Sequence, residues 1–464
     1  MTGTPVRNHE SGDERWPLVV FVLLGLGLGV WIAVASTALS LVAIVFVVVV
    51  GLQWRLLAGI PRKARRQVLG VLALAVGVRL VAIVTLPEIL EATTGYAHVA
   101  DGDPLFWERR GWELTQRPID EWEVVRGKSY HLVVGLLYKA FGHHVVVVRL
   151  ANVVGLAGLM LYTYRIAADV YGHGIGIVTA LYIALSPSFV ILTVRTGHDM
   201  LSIALTTAVL YYLFQFRWYD DTVAFGGFVA SLICLYWLRH QLALFLPLVA
   251  VAWYAVLFVV DQREALVGSP LRRGLTATAF LLGTGAVILL GVSSGFFTAL
   301  DARLDSWVAF KLAQLGPSSG LVTSVMSLPT SLRAFGGLVV FVLLPFPQWE
   351  ILLNDSWLTI KLYSMETFLL YLLVPFALLG IKRSVVEKFS ESFPHTLFTV
   401  GFATLVSVVY TGASVARFRA VVLGFIVMFA AYGTTVVEHR RRFVLAYYLL
   451  FAAGMAGYIG LKGV

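Results

Sequence analysis

Apolar residues in this chain come in long runs, not in the stripes or alternations of a soluble domain. Runs near the roughly 20 residues that a helix needs to cross a hydrocarbon core recur along the whole length. They predict spans at 67–86, 145–164, 175–193, 199–215, 222–237, 241–259, 275–294, 363–381, 395–412, 419–437 and 443–461. Residues 17–54 hold apolar length for one more hairpin, split near 35–37. The pattern predicts an all-α, polytopic integral membrane protein with about 13 transmembrane helices.

The polar gaps between runs set the orientation. The segments "RLLAGIPRKARR", "DQREALVGSPLRRG", "KRSVVEK" and "EHRRR", with Arg165 and Arg217, are basic and belong on the cytoplasmic side. The start, residues 1–16, reads as a cytoplasmic tail ahead of a retained anchor, and residues 17–464 as one transmembrane domain. Residues 87–144 then form a large outer loop. For the last basic loops to lie inside, the second outer region, 295–360, must contain either a re-entrant helix or a crossing hidden within 304–333. The re-entrant candidate is 335–348, a short run ending in Pro345 and Pro347. Either solution puts Arg417 and Arg419 outside.

Composition agrees: 59% of the residues are hydrophobic and 13% charged, and the mean hydropathy is +0.84, which excludes an ordinary soluble domain. The net charge of +9 fits basic loops facing anionic membrane lipids; it does not call for nucleic acid. Cys234 is the only cysteine, so no intrachain disulfide forms. The expected location is the plasma membrane, with the N-terminus cytoplasmic.

The outer loop holds the candidate chemistry. It carries Asp101 and Asp103, then "LFWERRGWEL", whose mixed aromatic and charged character suits a helix lying in the interface. "SYHLVVGLLYKAF" is apolar but too short to span. Asp103 followed by Pro104 also matches a helix start, and a carboxylate oriented in that way can still act as a general base. Arg195, His198 and Asp199 fall on another outer turn, "RTGHDM", which is either a polar hairpin turn or part of a cavity. Arg79 lies within a span, close enough to its outer end to snorkel. His143 and His144 read as interfacial.

In sequence order, "DPLFWERRG", "GKSYHLVVGLLYKAFG", "VVRLANVVGLAGLMLYTYRIAADVYG", "ALYIALSPSFVILTVRTGHDML" and "YTGASVARFRAVVLGFIVMFAAYG" resemble segments of the GT-C superfamily. These are polytopic glycosyltransferases that use polyprenyl-phosphate sugars, and they include protein mannosyltransferases and aminoarabinose transferases. The chain differs in carrying Trp107, preceded by Phe106, where many relatives have Tyr, in Gly111 where they have Ala, and in its extra hairpin at 17–54.

The resemblance implies an inverting transfer from a polyprenyl-phosphate-linked sugar to a glycan, lipid, polymer or protein acceptor on the outer face. Asp103 matches the base of that family, and Asp101 would support it. A phosphate leaving group needs cationic stabilisation, for which Arg417 and Arg419 are the candidates; their other reading is snorkelling toward head groups. No cofactor is implied. Asp-Gly-Asp could offer oxygen ligands to a divalent cation, but relatives with single-phosphate lipid donors are taken not to need a metal, so no metal ligand is assigned. A lipid-linked glycan polymerase or ligase would use the same outer arginines. A transporter or flippase is the third possibility, although the sequence displays neither paired broken helices nor repeat halves.

Overall fold

A computed structural model describes residues 56–57, 59–94, 102–122, 129–219, 222–265, 358–409, 415–435 and 441–462. Among these, every element is helical: α1 (Arg62–Thr94), α2 (Gly102–Thr115), a 3₁₀ turn (Ile119–Glu121), α3 (Tyr130–Phe141), α4 (Val145–Tyr171), α5 (His173–Leu185) and α6 (Pro187–Val194). They continue with α7 (Asp199–Tyr219), α8 (Thr222–Ala265), α9 (Leu358–Glu387), α10 (Phe389–Val409), α11 (Val415–Thr434) and α12 (Arg441–Lys462). Six of the described helices are long and apolar enough to cross a membrane, and the bent pair α5–α6 would make a seventh. The described part of the chain is thus all-α, and its long apolar helices are those of a membrane-embedded protein. The tail 1–16, the hairpin 17–54, the span 275–294, Asp101 and most of the region 295–360 lie outside the described residues.

Four expected spans take a different form, at three places and each time for a local reason. Helix α1 does not stop at Pro87 but continues to Thr94. Proline has no N–H to give to the carbonyl four residues back, that of Ile83, and the buried Arg149 of α4 donates to that carbonyl instead, at 3.4 Å. The expected spans 222–237 and 241–259 meet without a loop in α8, at Arg239, whose φ of −154° and ψ of 77° interrupt the helix. The expected span 175–193 breaks between Leu185 and Pro187, with a bend of 54° between α5 and α6.

Helix ends that should share a side do so. Tyr171 at the end of α4 bonds Ser384 on α9 (2.8 Å), Trp253 on α8 donates to the Ser390 carbonyl (3.0 Å), and Arg383 donates to Thr435 (2.6 Å). Gln215, late in α7, donates to Asp169, late in α4 (2.8 Å). This end carries Arg165 and the 382–388 segment, both assigned to the basic side by sequence. The opposite end carries α2 and α3 and the starts of α4, α7 and α11.

Glycine allows the closest helix crossings. At Gly380 of α9 and Gly433 of α11, a Cβ would run into the backbone carbonyls of Phe429 and Phe376 respectively, so the two backbones touch directly. At the opposite end Gly111 of α2 meets Val134 and Gly135 of α3, which locks these two short helices together.

Candidate functional site

The site is built around a buried carboxylate at the α6–α7 turn. Asn152 on α4, fully buried, donates from Nδ2 to the carbonyls of Thr193 (3.3 Å) and Arg195 (2.9 Å). These belong to the last turn of α6, where carbonyls have no partner within the helix. The turn is thereby held, and Asp199 opens α7, where the positive end of the helix dipole favours a carboxylate. Asp199 accepts from Arg239 Nη1 (3.0 Å) on one oxygen and from Arg417 Nε on the other. His198 Nε2 lies 3.9 Å from the same carboxylate, and Arg195 is within its electrostatic range.

Helices α2 and α3 pack over this cluster. The Trp107 ring meets His198 edge-on at 5.7 Å and Tyr130 edge-on at 5.9 Å, and it stacks with His131 at 6.3 Å. The Ser129 N–H donates to the Trp237 carbonyl (3.2 Å), two residues before Arg239. Burial, with the Asp199 carboxylate nearby, pushes the Tyr130 phenol well above the ordinary tyrosine range. Asp103 stands in the first turn of α2, one turn before Trp107. Its side chain, like the whole of Asp101, lies outside what is described.

Arg195, His198, Asp199 and Arg417, expected on two separate outer turns, therefore come together. Arg419 does not join them. Two residues along a helix turn a side chain to a different face, and Arg419 Nη2 donates to Thr367 Oγ1 of α9 at 2.7 Å. It neighbours Glu366, which is fully buried and accepts from Ser186 Oγ (2.6 Å), the Ser188 N–H (3.2 Å) and the Tyr182 hydroxyl. Exposure separates the two arginines further: the Arg417 side chain retains 16% and Arg239 12%, while Arg419 retains 2%. Arg417 and Arg239 can be reached from outside the protein; Arg419 is closed in.

Sequence reasoning missed two residues. Arg239 was signalled only by its place between two runs, in "LRHQ". Glu366 was signalled as a lone acid inside an apolar run, where an ionisable group is costly unless it serves a purpose.

Three guanidiniums facing one buried carboxylate form a local excess of positive charge, and guanidinium binds phosphate or carboxylate oxygens through paired hydrogen bonds. The arrangement suits an anion arriving at the α2-covered end of the bundle. Among the described residues no three His, Cys, Asp or Glu side chains are grouped to hold a metal ion. No family model and no curated protein matches the chain.

Proposed function

We propose that this chain is an inverting membrane glycosyltransferase of the GT-C type, moving a sugar from a polyprenyl-phosphate donor to an acceptor on the outer face of the plasma membrane. The observation that carries the reading is the cluster of Arg195, Arg239 and Arg417 around Asp199, beneath Trp107 of the helix whose first turn holds Asp103. In the proposed step the acceptor hydroxyl attacks the anomeric carbon and the bond from that carbon to the phosphate oxygen breaks. The lipid phosphate leaves with the electron pair, and the hydroxyl proton passes to Asp103, which Asp101 would support. The open guanidiniums, Arg417 first, bind the departing phosphate where its charge develops.

Sugar transfer from synthetic polyprenyl-phosphate sugars to a cell-envelope acceptor extract tests this, in membranes containing the natural chain or Asp103→Asn at equal expression. Transfer lost in the variant while donor binding persists is the expected result. Transfer unchanged by the substitution would leave Asp103 as a helix-start residue and remove the proposed base.

One observation favours a second reading, a transporter or flippase. The α5–α6 span is broken beside Arg79, Glu366 and Arg419, and broken helices with ionisable partners are a feature of transport sites. Sealed vesicles separate the two: a transporter moves the lipid-linked sugar across the bilayer without any transfer product.

A further inference from the structure

The break between α5 and α6 is clamped at both ends by opposite charges. Interrupting a helix frees carbonyls on one side and N–H groups on the other, and in hydrocarbon each unsatisfied group costs several kcal/mol. Arg79 on α1, fully buried, donates to the carbonyls of Ile183 (3.0 Å) and Ala184 at the end of α5. Glu366 on α9 accepts from Ser186 Oγ and from the Ser188 N–H at the start of α6. Ser186 Oγ in turn accepts from the Phe189 N–H (3.4 Å) as the N-cap of α6. The cation thus sits on the negative end of one half-helix and the anion on the positive end of the other, which is the orientation that the helix dipoles favour.

Helix α6 has only 8 residues, about 12 Å at 1.5 Å per residue, and ends directly at Arg195. A short rigid rod fixed at one end by Glu366 and at the other by Asn152 sets where Arg195 and Asp199 stand. We infer that Glu366 is a positioning residue for the phosphate-binding arginines: it fixes the start of α6, and Arg419 belongs to this joint, while Arg417 belongs to the anion cradle. The inference rests on the proposed phosphate-binding role of the Asp199 cluster.

The test uses the full chain in nanodiscs, with farnesyl phosphate as the short polyprenyl monophosphate probe and farnesol as the control lacking phosphate. Glu366→Gln should speed hydrogen exchange at the α6 amides, 188–194, while leaving α7 and α4 unchanged. It should also weaken farnesyl phosphate binding about three- to tenfold, a loss coupled to, not additive with, that of Arg195→Gln. Ser186→Ala, which removes one hydroxyl and spares the buried carboxylate, should shift both readouts in the same sense by less. A protein that is merely loosened would instead exchange faster throughout. Local exchange unchanged in Glu366→Gln, phosphate affinity unchanged, or strict additivity with Arg195→Gln would each overturn the positioning role while the natural chain still binds the probe. A natural chain that binds farnesyl phosphate no better than farnesol would overturn the phosphate-binding reading itself, and with it the positioning role.

Discussion

Replacing Asp199 with asparagine keeps the shape of the side chain and removes the one carboxylate around which Arg195, Arg239 and Arg417 gather. Removing one partner from a buried ion pair costs about 3–5 kcal/mol, because the charge left behind has no compensation. Here the abandoned guanidiniums of Arg239 and Arg417 retain 12% and 16% exposure, so water screens part of that cost and the expected loss is about 2–3 kcal/mol. An anion that enters the cluster replaces the missing charge. Farnesyl phosphate at a hundred times its Kd would stabilise the variant by about 2.7 kcal/mol, nearly restoring it. In the natural chain the same ligand shares the arginines with Asp199, so its Kd is larger and the same concentration should stabilise less. Equilibrium unfolding in mixed micelles, with farnesyl phosphate or farnesol, measures both quantities. A variant as stable as the natural chain, or one that gains no more from farnesyl phosphate than the natural chain does, refutes the idea that these arginines form an anion cradle.

Gly111→Ala sets a methyl group against Val134 of α3. It should cost about 1–3 kcal/mol in the same unfolding assay and lower sugar transfer by displacing α2. Asn152→Leu strips the partner from the carbonyls of Thr193 and Arg195; the expected loss is about 1–3 kcal/mol together with weaker farnesyl phosphate binding, and unchanged binding would mean that the turn holds itself. Pro87→Ala restores an N–H for the Ile83 carbonyl, so Arg149→Leu should cost less in that background, by about 0.5 kcal/mol or more in a double-mutant cycle, and strict additivity would refute the role given to Arg149. Cysteine labelling from the outer side should reach Arg239→Cys but not Arg383→Cys, in a chain whose own Cys234 is replaced by serine.

Much of this architecture is legible in the residues, because the membrane makes run length and loop charge into direct reports of position. The spans in α1, α4, α7, α9 and α11 fall where apolar runs lie, and among the described residues Arg165 and the basic segment 382–388 share one end. The meeting of Arg195, His198 and Asp199 with Arg417 follows in part, since both turns were assigned to the same side. What composition could not say is which arginine of the pair 417 and 419 faces the opening, because that depends on the rotation of α11 about its axis. The break at Ser186–Pro187 was also hidden. A proline after a serine fits a kinked span as well as a broken one, and only the approach of Arg79 and Glu366, remote in sequence, makes the broken form tolerable. Arg239 escaped notice since a short polar stretch between two runs, here Arg239, His240 and Gln241, usually marks a plain turn.

The clamp on the α5–α6 break has a consequence for biosynthesis. Ser186 and Glu366 are 180 residues apart in the chain, and Asp199 and Arg417 are 218 apart. At a synthesis rate of roughly 5–20 residues per second, the broken span waits about 10–40 s after its own emergence before its carboxylate partner has been made. During that interval the N–H groups at the start of α6 must be sheltered from lipid by the insertion machinery or by water held in a half-built bundle, whereas Asp199 gains Arg239 only 40 residues after itself. Chains truncated before Glu366 should therefore be retained by that machinery or degraded, however apolar their completed spans are.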